Sequence, residues 1–130
     1  MTVYVFGNPD FDLDSPAITA AITLKEQMPQ IKFNFIPIGN EIEFDSPRPI
    51  ILDTVFAITR ITVVSRLDQL VSPPRNTVHD FDLGYQLKYL KKIGRINGAI
   101  IVGLPMKSKI NYLKIQSILR KLVEQDIQGS

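Results

Sequence analysis

The sequence predicts an α/β fold: a three-layer α/β/α sandwich around a mostly parallel, mixed five-stranded sheet. Short apolar and β-branched runs alternate along the chain with longer segments whose apolar residues recur at helical spacing. Such alternation is typical of parallel sheets covered by helices. No internal repeat or low-complexity tract interrupts it, and 130 residues suffice for one compact domain. We therefore expect a single domain over residues 1–130.

Five short runs predict the strands. They cover residues 3–6, 32–36, 50–52, 61–64 and 99–102. The third run is entirely apolar, which is typical of a strand buried on both faces. The fourth is expected at an edge of the sheet, and the fifth is expected to end at Gly103-Leu104-Pro105.

Three stretches predict helices. The first covers residues 16–28, with Ser15 as its N-cap and a proline at its first position. The second begins at Asp80 and ends at Gly94 as its C-cap. The terminal helix carries the apolar residues of 110–122 on one face. Its predicted solvent side carries Lys107, Lys109, Lys114, Arg120 and Lys121.

The formal charge of +2 hides an uneven distribution along the chain. Residues 1–53 hold eight acidic and three basic side chains, whereas residues 86–130 hold nine basic and two acidic ones. The bases are concentrated in one part of the chain, and the other half is acidic. This pattern disfavours nucleic-acid binding.

Several classes of protein are excluded by composition. No apolar run approaches the ~20 residues that a transmembrane helix needs, so no membrane association is expected. The N-terminus lacks the basic start of a secretory signal, which leaves the cytoplasm as the expected compartment. The absence of cysteine excludes disulfides, thiolate zinc sites and a cysteine nucleophile. No phosphate-binding or dinucleotide motif is present, so no organic cofactor is expected.

Acidic residues follow two of the predicted strands. The loop over residues 7–14 carries Asp10, Asp12 and Asp14, and Asp53 follows the third strand. In parallel sheets, ligands bind beyond the carboxyl ends of the strands. If the first and third strands are parallel, these carboxylates share one edge of the sheet, where they repel one another unless a cation intervenes.

Each candidate residue also has a structural interpretation. Asp14 and Ser15 are suited to capping the first helix, and Asp53 is suited to closing a turn through its own side chain. His79, the only histidine, precedes the second helix and is suited to a surface or capping role. Together, two carboxylates and one imidazole would instead form an open site for a borderline metal such as nickel, zinc or iron.

The candidate residues belong to motifs that follow one another in a fixed order. These are an apolar strand with Gly7-Asn8 and an acid at Asp14, an apolar strand with Asp53, a leucine-rich helix opened by His79, and an apolar strand with Gly103-Leu104-Pro105. The order over residues 3–105 resembles the hydrogenase maturation proteases. These endopeptidases remove a C-terminal extension from the large-subunit precursor of nickel–iron hydrogenases.

The resemblance implies both an activity and a set of site residues. Asp14, Asp53 and His79 would be the catalytic and metal-contacting residues, and they would grip nickel already inserted in the precursor. Nickel would then be bound transiently as part of the substrate, and the precursor would be the partner. A metal-oriented or carboxylate-activated water would be the attacking group.

The sequence departs from this family in several places, among them the loop before the first helix, which carries Asp12-Leu13-Asp14 instead of consecutive acids. Asp14 stands where members usually have Glu, and the segment 38–49 is too short and too rich in proline for the helix that members carry there. The chain is therefore expected to be a reduced member, with a degenerate, inactive member as the alternative.

Two other interpretations remain open. The segment Asn8-Pro9-Asp10-Phe11-Asp12 with Asp53 resembles metal-dependent phosphoesterases, although their Asp-His-His motif is absent. The other is a non-catalytic maturation or assembly module that uses the basic terminal helix as its contact surface. Those basic residues are equally suited to an ordinary solvated helix face.

Overall fold

The computed structural model describes most of the chain. The described residues are 1–6, 15–36, 42–55, 58–65, 80–107 and 109–129, with the backbone alone for 80–83 and 126–129. Their elements are β1 (Thr2–Phe6), α1 (Pro16–Gln27), β2 (Lys32–Ile36), β3 (Ile50–Val55), β4 (Thr62–Val64), α2 (Asp80–Lys92), β5 (Ile100–Pro105) and α3 (Tyr112–Gly129). Of these helices, none combines the length and the apolar content that crossing a lipid bilayer requires.

The five strands form one sheet in the order β2-β1-β3-β5-β4. β1 is parallel to β2 and β3, and β3 is parallel to β5. β4 alone among them is antiparallel, and it lies at the edge beside β5, as its sequence predicts. The prediction of an α/β fold with a mixed, mostly parallel five-stranded sheet is confirmed.

Helices cover both faces of the sheet. On one face, Leu52 belongs to a buried cluster with Leu24 of α1 and Leu119 of α3. On the other face, Ile51 belongs to a second cluster with Leu87 of α2. Successive residues of β3 thus face opposite layers, which gives the predicted arrangement of helix, sheet and helix.

The segment before β3 packs on the same face as α2. The backbone N–H of Asp45 donates a 2.8 Å hydrogen bond to the hydroxyl oxygen of Tyr4. The Phe44 ring meets the ring of Tyr4 edge to face, with centroids 4.8 Å apart. No helix occurs in the described part of this connection, residues 42–49, in agreement with the prediction.

Both central strands continue past their predicted ends. Asp53 pairs with Gly103, and Val55 pairs with Pro105. Each strand thus provides hydrogen-bond partners for the backbone of the other, and both continue further. Pro105 lies beyond the residues of β5 that pair with β4, so β4 requires no backbone N–H from it. The expectation that Asp53 follows β3 is wrong, since Asp53 lies inside the strand.

The terminal helix also differs from its predicted extent. Lys107 and Lys109 precede α3 and so do not belong to its solvent face. The side-chain oxygen of Asn111 accepts the backbone N–H of Lys114 at 3.1 Å, which caps the start of the helix. Leu113, expected on the apolar face, is 79% exposed.

Helix α2 ends in a Schellman motif at Gly94, as predicted. Gly94 has a positive φ of 81°, and its N–H donates to the carbonyl of Lys91 at 3.1 Å. The N–H of Arg95 donates to the carbonyl of Leu90 at 2.9 Å. This pair of bonds satisfies carbonyls that would otherwise lack a partner at the helix end.

Gly94→Ala is expected to lower the free energy of unfolding by about 1 kcal/mol. A Cβ at position 94 meets no atom within 4 Å, so the cost is the strain of alanine at a positive φ. Gly98→Ala is the matched control, since a Cβ there also meets open space and its φ is not positive. Urea denaturation measures the free energy of unfolding of both variants. An equal decrease in the two would contradict the explanation by backbone conformation.

Candidate functional site

Asp53 is a buried carboxylate at the centre of the sheet. It lies in β3, which is flanked by β1 and β5, and it has no exposed surface. Both carboxylate oxygens are enclosed. Aspartate is rarely buried so completely, because removing its charge from water is costly. The turn-closing interpretation fails, since two further strand residues follow Asp53.

The side chain of Asp53 faces the layer of α2. The hydroxyl of Thr54 contacts the backbone of Ala17 in α1, so the alternation of a strand directs Asp53 and Val55 to the opposite face. A Cβ at Gly103 would lie only 2.8 Å from Cγ2 of Val55. Close packing therefore requires glycine at this position, and β5 presents no side chain beside Asp53.

Thr54 joins the start of α1 to β3. Its hydroxyl oxygen accepts the N–H of Ala17 at 3.0 Å, and it shares a 2.8 Å hydrogen bond with the hydroxyl of Ser15. Ser15 is the N-cap residue, as predicted, but its own side chain makes no capping bond to the helix. A neighbouring strand supplies the cap instead.

Thr54→Val is expected to lower the free energy of unfolding by about 1–2 kcal/mol. Valine has the shape of threonine but leaves the buried N–H of Ala17 without its acceptor. Thr62→Val is the matched control, because the Thr62 hydroxyl is exposed and donates to the nearby carbonyl of Arg60. The control should change stability by less than about 0.5 kcal/mol. Similar unfolding midpoints for both variants would exclude the capping role.

The other two predicted site residues, Asp14 and His79, lie outside the described residues. Their neighbours in the chain are described. Ser15 follows Asp14 and is hydrogen-bonded to Thr54, which in turn follows Asp53. α2 begins directly after His79. Within the described ranges, no group of three or more acidic or histidine side chains is arranged to hold a metal ion.

The direction of α2 follows from the bonds beyond its C-terminal end. The N–H of Asn97 donates to the carbonyl of Pro47 at 2.6 Å, and the N–H of Ile100 donates to that of Pro49 at 2.9 Å. The helix thus ends near the end of the sheet at which β3 and β5 begin.

A basic cavity lies near the carboxyl end of β5, the strand that pairs with β3 beside Asp53. Its volume is 680 Å³, and its lining residues are Thr59, Arg60, Ile61, Thr62, Val63, Pro105, Lys109, Asn111 and Lys114. No acidic side chain occurs among the described residues that line it. Thr62 pairs with Gly103, which pairs with Asp53, so one strand separates the cavity from the carboxylate. Sequence patterns alone do not indicate this juxtaposition of Arg60 and Lys109.

Comparisons with known proteins indicate the fold and no family. No protein-family model matches the chain, and no curated protein matches its sequence. Among solved structures, the crystal structure of an uncharacterized protein from Wolinella succinogenes is similar, with a TM-score of 0.54 and 16% sequence identity. The match covers 99% of this chain and 98% of that one. At this identity the likeness supports a common fold only.

Proposed function

We propose that the protein is an endopeptidase that removes the C-terminal extension of a nickel-loaded hydrogenase large-subunit precursor. The observation that carries the proposal is the strand order, in which β1, β3 and β5 are adjacent and parallel. Three of the motifs that resemble the maturation proteases lie on or directly after these strands. Because the carboxyl ends of parallel strands share an edge, the order supports one common site.

The bond between Ser15 and Thr54 supports proximity of the chain segments that carry the two proposed carboxylates. It joins the residue after Asp14 to the residue after Asp53 at 2.8 Å. The start of α1 therefore lies beside the carboxyl-terminal half of β3.

The direction of α2 supports a role for His79 at the same edge. The helix begins directly after His79, and its C-terminal end lies near the start of β3 and β5, so we infer that it runs antiparallel to these strands toward their carboxyl ends. Leu87 holds the helix against the face to which the Asp53 side chain is directed. An imidazole that precedes this helix is therefore suited to complete the proposed set.

In the proposed reaction, Asp14, Asp53 and His79 contact the nickel ion of the precursor. A water oriented by the metal or by a carboxylate attacks the scissile carbonyl, and the C–N bond breaks to give a carboxylate and an amine. The cytoplasm is the proposed compartment. Since Asp53 has no exposed surface, a metal ion reaches it only through a local rearrangement at this edge.

The complete burial of Asp53 favours a second candidate, a non-catalytic assembly module of the same fold. In that case the carboxylate has a structural role, and the protein binds a maturation partner without cleaving it. If Asp53 contacts no substrate, its complete burial requires no rearrangement during function.

Incubation with nickel-loaded and nickel-free large-subunit precursor tests the proposal. Mass spectrometry is expected to show loss of the C-terminal extension from the nickel-loaded form only. Binding without cleavage would support the assembly module. Release of phosphate from small diesters in the presence of manganese, with no cleavage of the precursor, would favour the phosphoesterase interpretation and contradict the proposal.

A further inference from the structure

The basic cavity borders β4, the last strand in the sheet order of the described residues. Its three cationic side chains come from separate parts of the chain: Arg60 precedes β4, Lys109 follows β5, and Lys114 lies in the first turn of α3. We call this set, with the edge strand Thr62–Val64, the basic groove. All three cationic residues are exposed, so they are accessible to a ligand.

The strand that borders the groove is suited to pairing with an added chain. β4 is the last strand in the sheet order, with β5 on one side. Val63 is 45% exposed and gives this edge an apolar contact. An edge strand presents backbone N–H and C=O groups that an extended peptide can bind by adding a strand to the sheet.

The charge of the groove selects an anionic ligand. Three cations line it, and no acidic side chain is present among the described residues of its lining. Lys114 and the Asn111 cap lie at the N-terminal end of α3, where the helix dipole adds positive potential. Such a concentration of one sign of charge attracts carboxylates and lowers the affinity for cationic peptides.

We propose that the basic groove binds an acidic peptide segment that adds to β4 in extended conformation and places carboxylates against Arg60, Lys109 and Lys114. A peptide fits better than a small anion because one wall of the 680 Å³ cavity is a run of five consecutive residues, 59–63, that leads into β4. The inference goes beyond the proposed cleavage, since binding at the groove requires neither nickel nor Asp53.

Fluorescence anisotropy with labelled short peptides tests this inference. A peptide that alternates Val with Glu presents all its carboxylates on one side when extended, and the matched control alternates Val with Gln. We expect the Glu peptide to bind at least about tenfold more tightly and to lose affinity at high salt. N-methylation of the Glu peptide's backbone should also weaken binding, because it removes donors needed for strand pairing.

Charge reversal locates the binding on the protein. Arg60→Glu with Lys109→Glu is expected to weaken binding of the Glu peptide by about tenfold or more. Lys25→Glu with Lys121→Glu, which reverses two exposed cations elsewhere, should change affinity by less than about twofold. Circular dichroism checks that both variants are folded.

Three results would overturn the inference: equal binding of the Glu and Gln peptides, equal effects of the two double variants, or binding unchanged by N-methylation. Inorganic phosphate that displaces the peptide, combined with insensitivity to N-methylation, would assign the cavity to small anions. Loss of precursor cleavage in an Asp53 variant that still binds the Glu peptide separates this site from the proposed catalytic one.

Discussion

Asp53→Asn is expected to lower the rate of nickel-dependent precursor processing by about 10²–10⁴-fold. Asparagine has nearly the same shape, but it carries no negative charge with which to hold a cation or accept a proton from water. Single-turnover cleavage measures the effect on processing, and circular dichroism of the same preparation checks that the variant is folded.

Asp45→Asn is the matched control for Asp53→Asn. Asp45 is exposed, and its bond to Tyr4 is made by the backbone N–H, which the substitution keeps. Processing should therefore stay within about twofold of the wild-type rate. If the Asp53→Asn variant cleaves the precursor at the wild-type rate, this carboxylate takes no part in catalysis. Asp53 would then have a structural role in β3.

Leu87→Ala is expected to lower the free energy of unfolding by about 2–5 kcal/mol. Leu87 has no exposed surface and packs in the cluster that contains Tyr4, Ile51 and Ile101. Truncation leaves a cavity between α2 and the sheet. Because His79 directly precedes α2, the looser helix should also slow processing at a temperature where the variant remains folded.

Leu119→Ala separates the effect on the site from the effect on stability. Leu119 is equally buried, but it packs with α1 on the other face of the sheet. We expect a similar loss of stability and, below the unfolding transition, a processing rate close to that of the wild type. Equal slowing by both substitutions would show that α2 has no special connection to the reaction.

The periodicity of apolar residues predicts most of the fold because it reports which faces are buried. β2 covers the predicted range Lys32–Ile36, and α1 begins at the predicted Pro16. The continuation of β3 through Asp53 and Thr54 was not predictable in this way. Polar residues after an apolar run indicate a turn, whereas pairing with β5 and burial on both faces depend on neighbours that are remote in sequence.

The candidate site was predictable only in part, for the same physical reason. Strand-end rules single out Asp53, because they require only a local pattern of apolar and acidic residues. The capping bond that the N–H of Ala17 donates to the Thr54 hydroxyl spans 37 residues, and no local motif encodes it. The basic groove likewise forms only when β4 pairs antiparallel with β5 and brings Arg60 beside Lys109.

In the proposed site, Asp14, Asp53 and His79 converge on one divalent ion beyond the carboxyl ends of the strands. A crystal structure with Ni²⁺, with anomalous data collected at the nickel edge, tests this arrangement. We expect one anomalous peak about 2.0–2.2 Å from both carboxylates and the imidazole. A nickel peak elsewhere, or these three side chains too far apart to share an ion, would exclude the proposed site.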